Sequence, residues 1–327
     1  MIWLQFLITA VLIVLAANQL AKYGDIIAVR TGLSGMFIGT ILMAGATSLP
    51  ELLSAVNALS IDSPGLAAGS MFGSGMFNMF MLAVIDLVNQ QSRVLRRVAM
   101  NHALTASLAN LLTALAIFFI LADIPARLGW VGVDSLVIIG AYVIGIRLLQ
   151  QQNNGQPAGP QEVPAGIPSL SKALLGFGIA TLVLVFVTPY MVNSANDIAA
   201  ITGLSSGFVG ATFIGITTSL PELVATIAAT RIGAFDLAVG NLFGSNLFNM
   251  FALALTDVFY LDGRFISEID PSFAVVGILV IILTSLGLVG NIARMERRLW
   301  FVEADALLIL LGYLFGMWFL YSRGIGA

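Results

Sequence analysis

Apolar residues fall into ten nearly continuous runs, beginning near residues 2, 33, 65, 98, 130, 170, 204, 234, 271 and 303. A helical membrane span needs about 20 such residues, because each backbone polar group must find its partner inside the segment once water is gone. The runs do not alternate with period two, which excludes a transmembrane β-barrel. Only 9% of residues are charged, against about 25% in soluble chains. The expected fold is therefore an all-α membrane protein of ten transmembrane helices, with nearly the whole chain in the bilayer. The chain has no cysteine, so disulfides and thiolate metal sites are absent. The opening "MIWLQF" lacks the basic stretch of a signal peptide, so the first run is read as a span.

The chain also repeats itself. An offset of 171 lays residues 31–86 on residues 202–257 without a gap, with 27 identities in the 56 pairs. "TGLS", "TSLPEL" and "FGSGMFNMF" meet "TGLS", "TSLPEL" and "FGSNLFNMF" at that one offset. Between the copies lies "QQQNNGQPAGPQEVPAGIPS", residues 150–169, polar and rich in Gly and Pro. It separates a first repeat of five spans, residues 1–149, from a second, residues 170–327. An odd number of spans per copy forces the copies into opposite orientations, the plan of many secondary transporters. Basic residues give the direction. The loops after odd-numbered spans hold eleven Lys and Arg, the opposite side three. The odd loops and the 150–169 linker are then cytoplasmic and both termini external, in a cytoplasmic or inner membrane.

Each copy places a proline beside a glutamate at a depth where neither is ordinarily tolerated: Pro50–Glu51 and Pro221–Glu222. A proline removes a helical N–H and clashes with the carbonyl four residues back, so helices 2 and 7 should be broken there. A carbonyl freed in lipid must face a cavity or a ligand. Hydroxyls flank both sites, at Thr47, Ser48, Thr218 and Ser219. Spans 3 and 8 add Ser74 with Asn78 and Ser245 with Asn249, each pair four residues apart and so on one helix face. Carboxylate, hydroxyl and amide oxygens are hard donors of the kind that suit Ca²⁺, and two carboxylates neutralise one divalent cation. An ionisable residue at this depth is functional by default. The bland alternatives are hydroxyls bonded back to helical carbonyls and asparagines that only bridge helices. Asp86 and Asp257 fall about 12 Å further along their helices and read as helix-end charges. His102 follows a basic loop and reads as interfacial.

"GATSLPE" and "GITTSLPE", each followed 27 residues from glutamate to asparagine by "GSGMFNM" and "GSNLFNM", resemble the two α-repeats of the cation/calcium exchanger superfamily, above all its prokaryotic sodium/calcium exchangers. The resemblance implies two inverted sets of five helices and alternating access by sliding of spans 1 and 6 against the other eight. It implies a central Ca²⁺ site between the glutamates, and flanking Na⁺ sites that use hydroxyls and the carbonyls of Ala44 and Gly215. Asn249 stands where many sodium/calcium exchangers carry aspartate, and Gly75 where the motif more often reads "GSN", as at Asn246. One carboxylate fewer implies fewer monovalent ions per cycle.

The function expected is a secondary antiporter that exports Ca²⁺ in exchange for Na⁺, with no cofactor. Its partners are inorganic cations and the lipid bilayer, with no nucleic acid and no obligatory protein partner. Antiport of Ca²⁺, or of another divalent cation, for H⁺ on the same fold and a cation channel are the alternatives, separated by counter-ion dependence. No bond is made or broken, so no enzyme is expected. An intramembrane hydrolase would need a serine–histidine or paired-aspartate arrangement that the sole histidine and scattered aspartates do not form.

Overall fold

A computed structural model describes residues 1–31, 44–88, 94–153, 168–231, 233, 235–292, 298–299 and 302–326. The start of the second apolar run and most of the linker lie outside the described residues. The first half comprises α1 (Ile2–Thr31), α2 (Ala44–Thr47), α3 (Leu49–Ser60), α4 (Pro64–Val88), α5 (Val94–Ala122) and α6 (Val133–Asn153). The second comprises α7 (Leu170–Thr202), α8 (Ser206–Val209), a π-helical turn (Gly210–Ile214), α9 (Gly215–Thr218), α10 (Leu220–Arg231), α11 (Phe235–Phe259), α12 (Phe265–Glu268), α13 (Phe273–Ile292) and α14 (Ala304–Arg323). Among the described residues seven helices are long and apolar enough to cross a membrane. The bent pair Ser206–Thr218 and Leu220–Arg231 makes an eighth, and Phe273–Val289 is a shorter apolar helix.

Burial sorts the helices into a centre and a periphery. Over their apolar windows α4 and α11 are 78% and 72% buried, whereas α7 is 17% buried. α7 packs mainly along α1, and α1 turns Leu4, Leu7, Val11 and Leu15 outward. In a bilayer that outward face meets lipid, where apolar exposure costs nothing. α4 approaches the α8 and π-turn region backbone to backbone. A Cβ on Gly73 would overlap the Ala211 backbone, and one on Gly69 would overlap the Gly207 carbonyl oxygen. Small residues permit the close approach that drives helix association in lipid.

At one end a hairpin, β1 (Arg127–Leu128) with β2 (Val131–Gly132), closes the gap between α5 and α6. Asp257, expected as a helix-end charge, is fully buried there. Its carboxylate accepts from the Gly132 N–H at 2.7 Å and the Phe265 N–H at 2.5 Å. Arg264, one of the three basic residues outside the odd-numbered loops, is buried too: it pairs with Asp134 at 3.1 Å and with Asp123. His102, read above as interfacial, is buried against protein, with 1% of its surface exposed. Gly240 of α11 has no side chain to hold α5 away, and the imidazole fills that notch, with Nε2 3.5 Å from Asp236 Oδ1.

Candidate cation site

Both proline–glutamate sequences sit just past a break in helical structure. The breaking residues are Ser48 (φ −89°, ψ 8°) and Ser219 (φ −87°, ψ 1°), nearly the same conformation at positions 171 apart. The second break bends the chain by 42°. Pro50 and Pro221 fall in the first turn of the following helix, where an absent N–H is no loss. Glu51 and Glu222 share that turn, and the positive end of the helix dipole favours a carboxylate there. The π-turn immediately before α9 adds a further irregularity, a feature common at functional sites.

The two glutamates are fully buried and reach across between the copies. Ser48 Oγ donates to Glu222 Oε1 at 2.8 Å, and Ser219 Oγ donates to Glu51 Oε1 at 3.2 Å. These are equivalent contacts under the 171 offset. In each carboxylate the second oxygen, Oε2, has no hydrogen-bond partner. A buried carboxylate oxygen left without a donor is costly, and a cation relieves that cost twice over, by charge and by coordination. Among the described residues no group of three or more His, Cys, Asp and Glu forms. A cation here would be held by two carboxylates and neutral oxygens, a set that fits Ca²⁺.

The neutral donors divide. Thr47 and Thr218 bond back to their own helices, to the Ala44 carbonyl at 3.2 Å and the Ile214 carbonyl at 3.0 Å, which leaves the hydroxyl lone pairs to accept or coordinate. Ser245 Oγ lies 3.4 Å from Glu222 Oε1, but its counterpart Ser74 donates instead to the Gly215 carbonyl at 3.1 Å. The carbonyls of Ala44 and Gly215 already accept the amides of Ser48 and Ser219. Asn78 donates through Nδ2 to Asn246 Oδ1 at 2.8 Å and leaves its own Oδ1 unpartnered, whereas Asn249 has neither amide atom bonded.

Three buried polar residues beside the site were not foreseen. Asn246 is one. Asn241 donates to the Glu222 carbonyl at 3.3 Å and to Thr226 Oγ1 at 3.1 Å. Ser70 is buried with its hydroxyl unpartnered. A signal for two of them was present: Ser70, Ser74 and Asn78, like Asn241, Ser245 and Asn249, recur every four residues and so continue one polar face by a further turn.

Known proteins resemble this chain over most of its length. The family profile described as sodium/calcium exchanger protein matches residues 1–149 and 172–322. Inner membrane protein YrbG of Escherichia coli (strain K12) is 28% identical over 267 residues, covering 80% of this chain and 79% of its own. Sodium/calcium exchanger MaX1 of Methanosarcina acetivorans is 26% identical over 354 residues, covering 95% and 99%. A solved structure of the sodium–calcium exchanger NCX_Mj, soaked with Na⁺ and Sr²⁺, covers 96% of each chain at a TM-score of 0.59 and 21% identity, a likeness of fold. The chain belongs to the sodium/calcium exchanger family, a family of membrane cation antiporters and not of enzymes.

Proposed function

We propose that the chain exports Ca²⁺ across a cytoplasmic membrane in exchange for Na⁺, by alternating access to one site built on Glu51 and Glu222. The observation that carries this reading is the reciprocal pair of buried carboxylates. Each takes a serine hydroxyl from the opposite copy through one oxygen and keeps the other unpartnered. In this reading Ca²⁺ is held by the two carboxylates through the oxygens left unpartnered. The hydroxyls of Thr47, Ser48, Thr218, Ser219, Ser74 and Ser245, the amide oxygens of Asn78 and Asn249 and the carbonyls of Ala44 and Gly215 complete this site and the flanking Na⁺ sites. The names of MaX1 and NCX_Mj, both sodium/calcium exchangers, support the pairing of ions.

Ten spans in two inverted sets of five, with 150–169 cytoplasmic and both termini external, are the arrangement we propose around it. The self-similarity and the excess of basic residues on odd loops support it, and the name of YrbG supports an inner membrane. The α1–α7 pair, which packs along itself and turns outward elsewhere, is suited to slide against the buried α4–α11 centre.

The test is radiolabelled Ca²⁺ flux in proteoliposomes with each counter-ion gradient imposed separately. An outward Na⁺ gradient should drive Ca²⁺ uptake. Ca²⁺ flux without any counter-ion would replace the antiporter with a channel. A second reading, Ca²⁺/H⁺ exchange, fits the same charge count, since two carboxylates match two protons as well as two Na⁺; uptake driven by a pH step without Na⁺ would select it.

A further inference from the structure

We infer that Asn246, outside the ligand set, is a positioning residue that turns the Asn78 amide so that its oxygen faces the cation, and that it does so for one copy of the motif only. This rests on the cation-site reading above. The argument is one of donors and acceptors. Asn246 Nδ2 lies 3.3 Å from the Gly75 carbonyl oxygen, and a carbonyl can only accept. That contact obliges the amine end of Asn246 to face Gly75, so its Oδ1 faces Asn78. Only a donor can meet that oxygen, and Asn78 Nδ2 does so at 2.8 Å. The oxygen of Asn78 is thereby turned away from Asn246 and left buried without a partner. Three groups in series, one backbone carbonyl and two amides, thus make Asn78 an oxygen donor rather than an amine.

The device depends on the glycine. Gly75 is the position equivalent to Asn246, and a Cβ there would meet Val280 Cγ1 at 3.2 Å and Asn246 Oδ1 at 3.9 Å. Position 75 itself carries no side-chain amide. For the same reason nothing at position 75 can do for Asn249 what Asn246 does for Asn78. Asn249 is 1% exposed with both amide atoms unbonded, so either end can turn to the site. The copies therefore share their carboxylates but not their asparagines.

The experiment is a double-mutant cycle on the purified protein. Binding is read as thermal stabilisation by Ca²⁺, Na⁺ and K⁺ added singly, and function as Ca²⁺/Ca²⁺ exchange in proteoliposomes. Asn246→Leu keeps the side-chain size and removes both hydrogen bonds. It should raise the half-saturating cation concentration about tenfold, the scale of losing one oriented hydrogen-bonding group at a charge. In an Asn78→Ala background it should add nothing, because the group it orients is gone; in an Asn249→Ala background it should keep its full effect. Asn246→Asp retains an acceptor for Asn78 Nδ2 and should lose less than the leucine. Additive effects of Asn246→Leu and Asn78→Ala, or a leucine variant with unchanged cation affinity, would overturn the inference. A wild-type protein stabilised by Na⁺ or K⁺ but not by Ca²⁺ would overturn the calcium reading and leave the cycle decisive with the ion that binds. One stabilised by none of the three would overturn both.

Discussion

The first and second copies of the motif are alike where charge is concerned and unlike where amides are. At the glutamate level the contacts are reciprocal: Ser48 bonds Glu222 and Ser219 bonds Glu51. On α4 and α11, Asn78 is held by Asn246 while the Asn249 side chain has no hydrogen-bond partner among the described residues. Duplication copies a backbone break and a carboxylate faithfully because both are local, written in four or five adjacent residues. A cross-copy hydrogen bond depends on two positions at once, and the glycine at position 75, where the other copy has Asn246, makes it one-sided. The site is thus symmetric in its net charge and asymmetric in its neutral oxygens.

The largest effect should come from the symmetric part. Glu51→Gln and Glu222→Gln each remove one of the two charges that balance the cation, and each should lower Ca²⁺ transport more than about a hundredfold while the protein still folds and inserts. The measurement is flux together with monodispersity in detergent. Equal losses confirm the symmetry at the carboxylates; near-normal flux in both variants would remove the site from these residues. Next come Ser48→Ala and Ser219→Ala. Each takes a hydroxyl from the opposite carboxylate, and each should weaken apparent Ca²⁺ affinity about tenfold, by similar factors. A large difference between them would break the symmetry one level earlier than we place it.

The amide level should respond unequally. Asn249→Asp adds a carboxylate where no hydrogen bond is disturbed, so it should raise the Hill coefficient for Na⁺ and make exchange more electrogenic. Asn78→Asp puts an acceptor against the Asn246 oxygen, 2.8 Å from the present nitrogen, and should lower transport instead. Equal outcomes for these two aspartates would mean that Asn246 reorients freely. The smallest effect belongs to a probe outside the site. A cysteine at Gly155, in the proposed cytoplasmic linker, should leave flux unchanged and resist an impermeant thiol reagent applied outside intact cells. Its labelling from outside would invert the topology.

How far the sequence reads can be followed residue by residue. The helical membrane class, the polar faces of α4 and α11 and the glutamates were legible because periodicity and the Pro–Glu pair are short-range signals. The 171 offset carried the reciprocal pairing implicitly, since equivalent residues meet across an interface between copies. The amide chain through Asn246 was not legible: it requires knowing that the Gly75 carbonyl lies within reach of α11, a matter of helix separation. The burial of His102 was not legible for a related reason. Its burial follows from a notch at Gly240 on another helix, not from the basic residues beside it in sequence. Arg264 likewise looks like a loop charge until Asp134 and Asp123 are brought to it.

We propose that Glu51 and Glu222, with no third carboxylate grouped with them among the described residues, set the charge carried per cycle. A third Na⁺ would remain uncompensated in a poorly hydrated site, and uncompensated buried charge is expensive. The direct measurement is Na⁺-driven Ca²⁺ flux of the wild-type protein in proteoliposomes with the membrane potential clamped at a series of values. The account predicts a flux that does not change with potential, two Na⁺ moving for each Ca²⁺. A flux that rises and falls with potential as three Na⁺ per Ca²⁺ requires would show that Asn249 does not set the stoichiometry, and would contradict it.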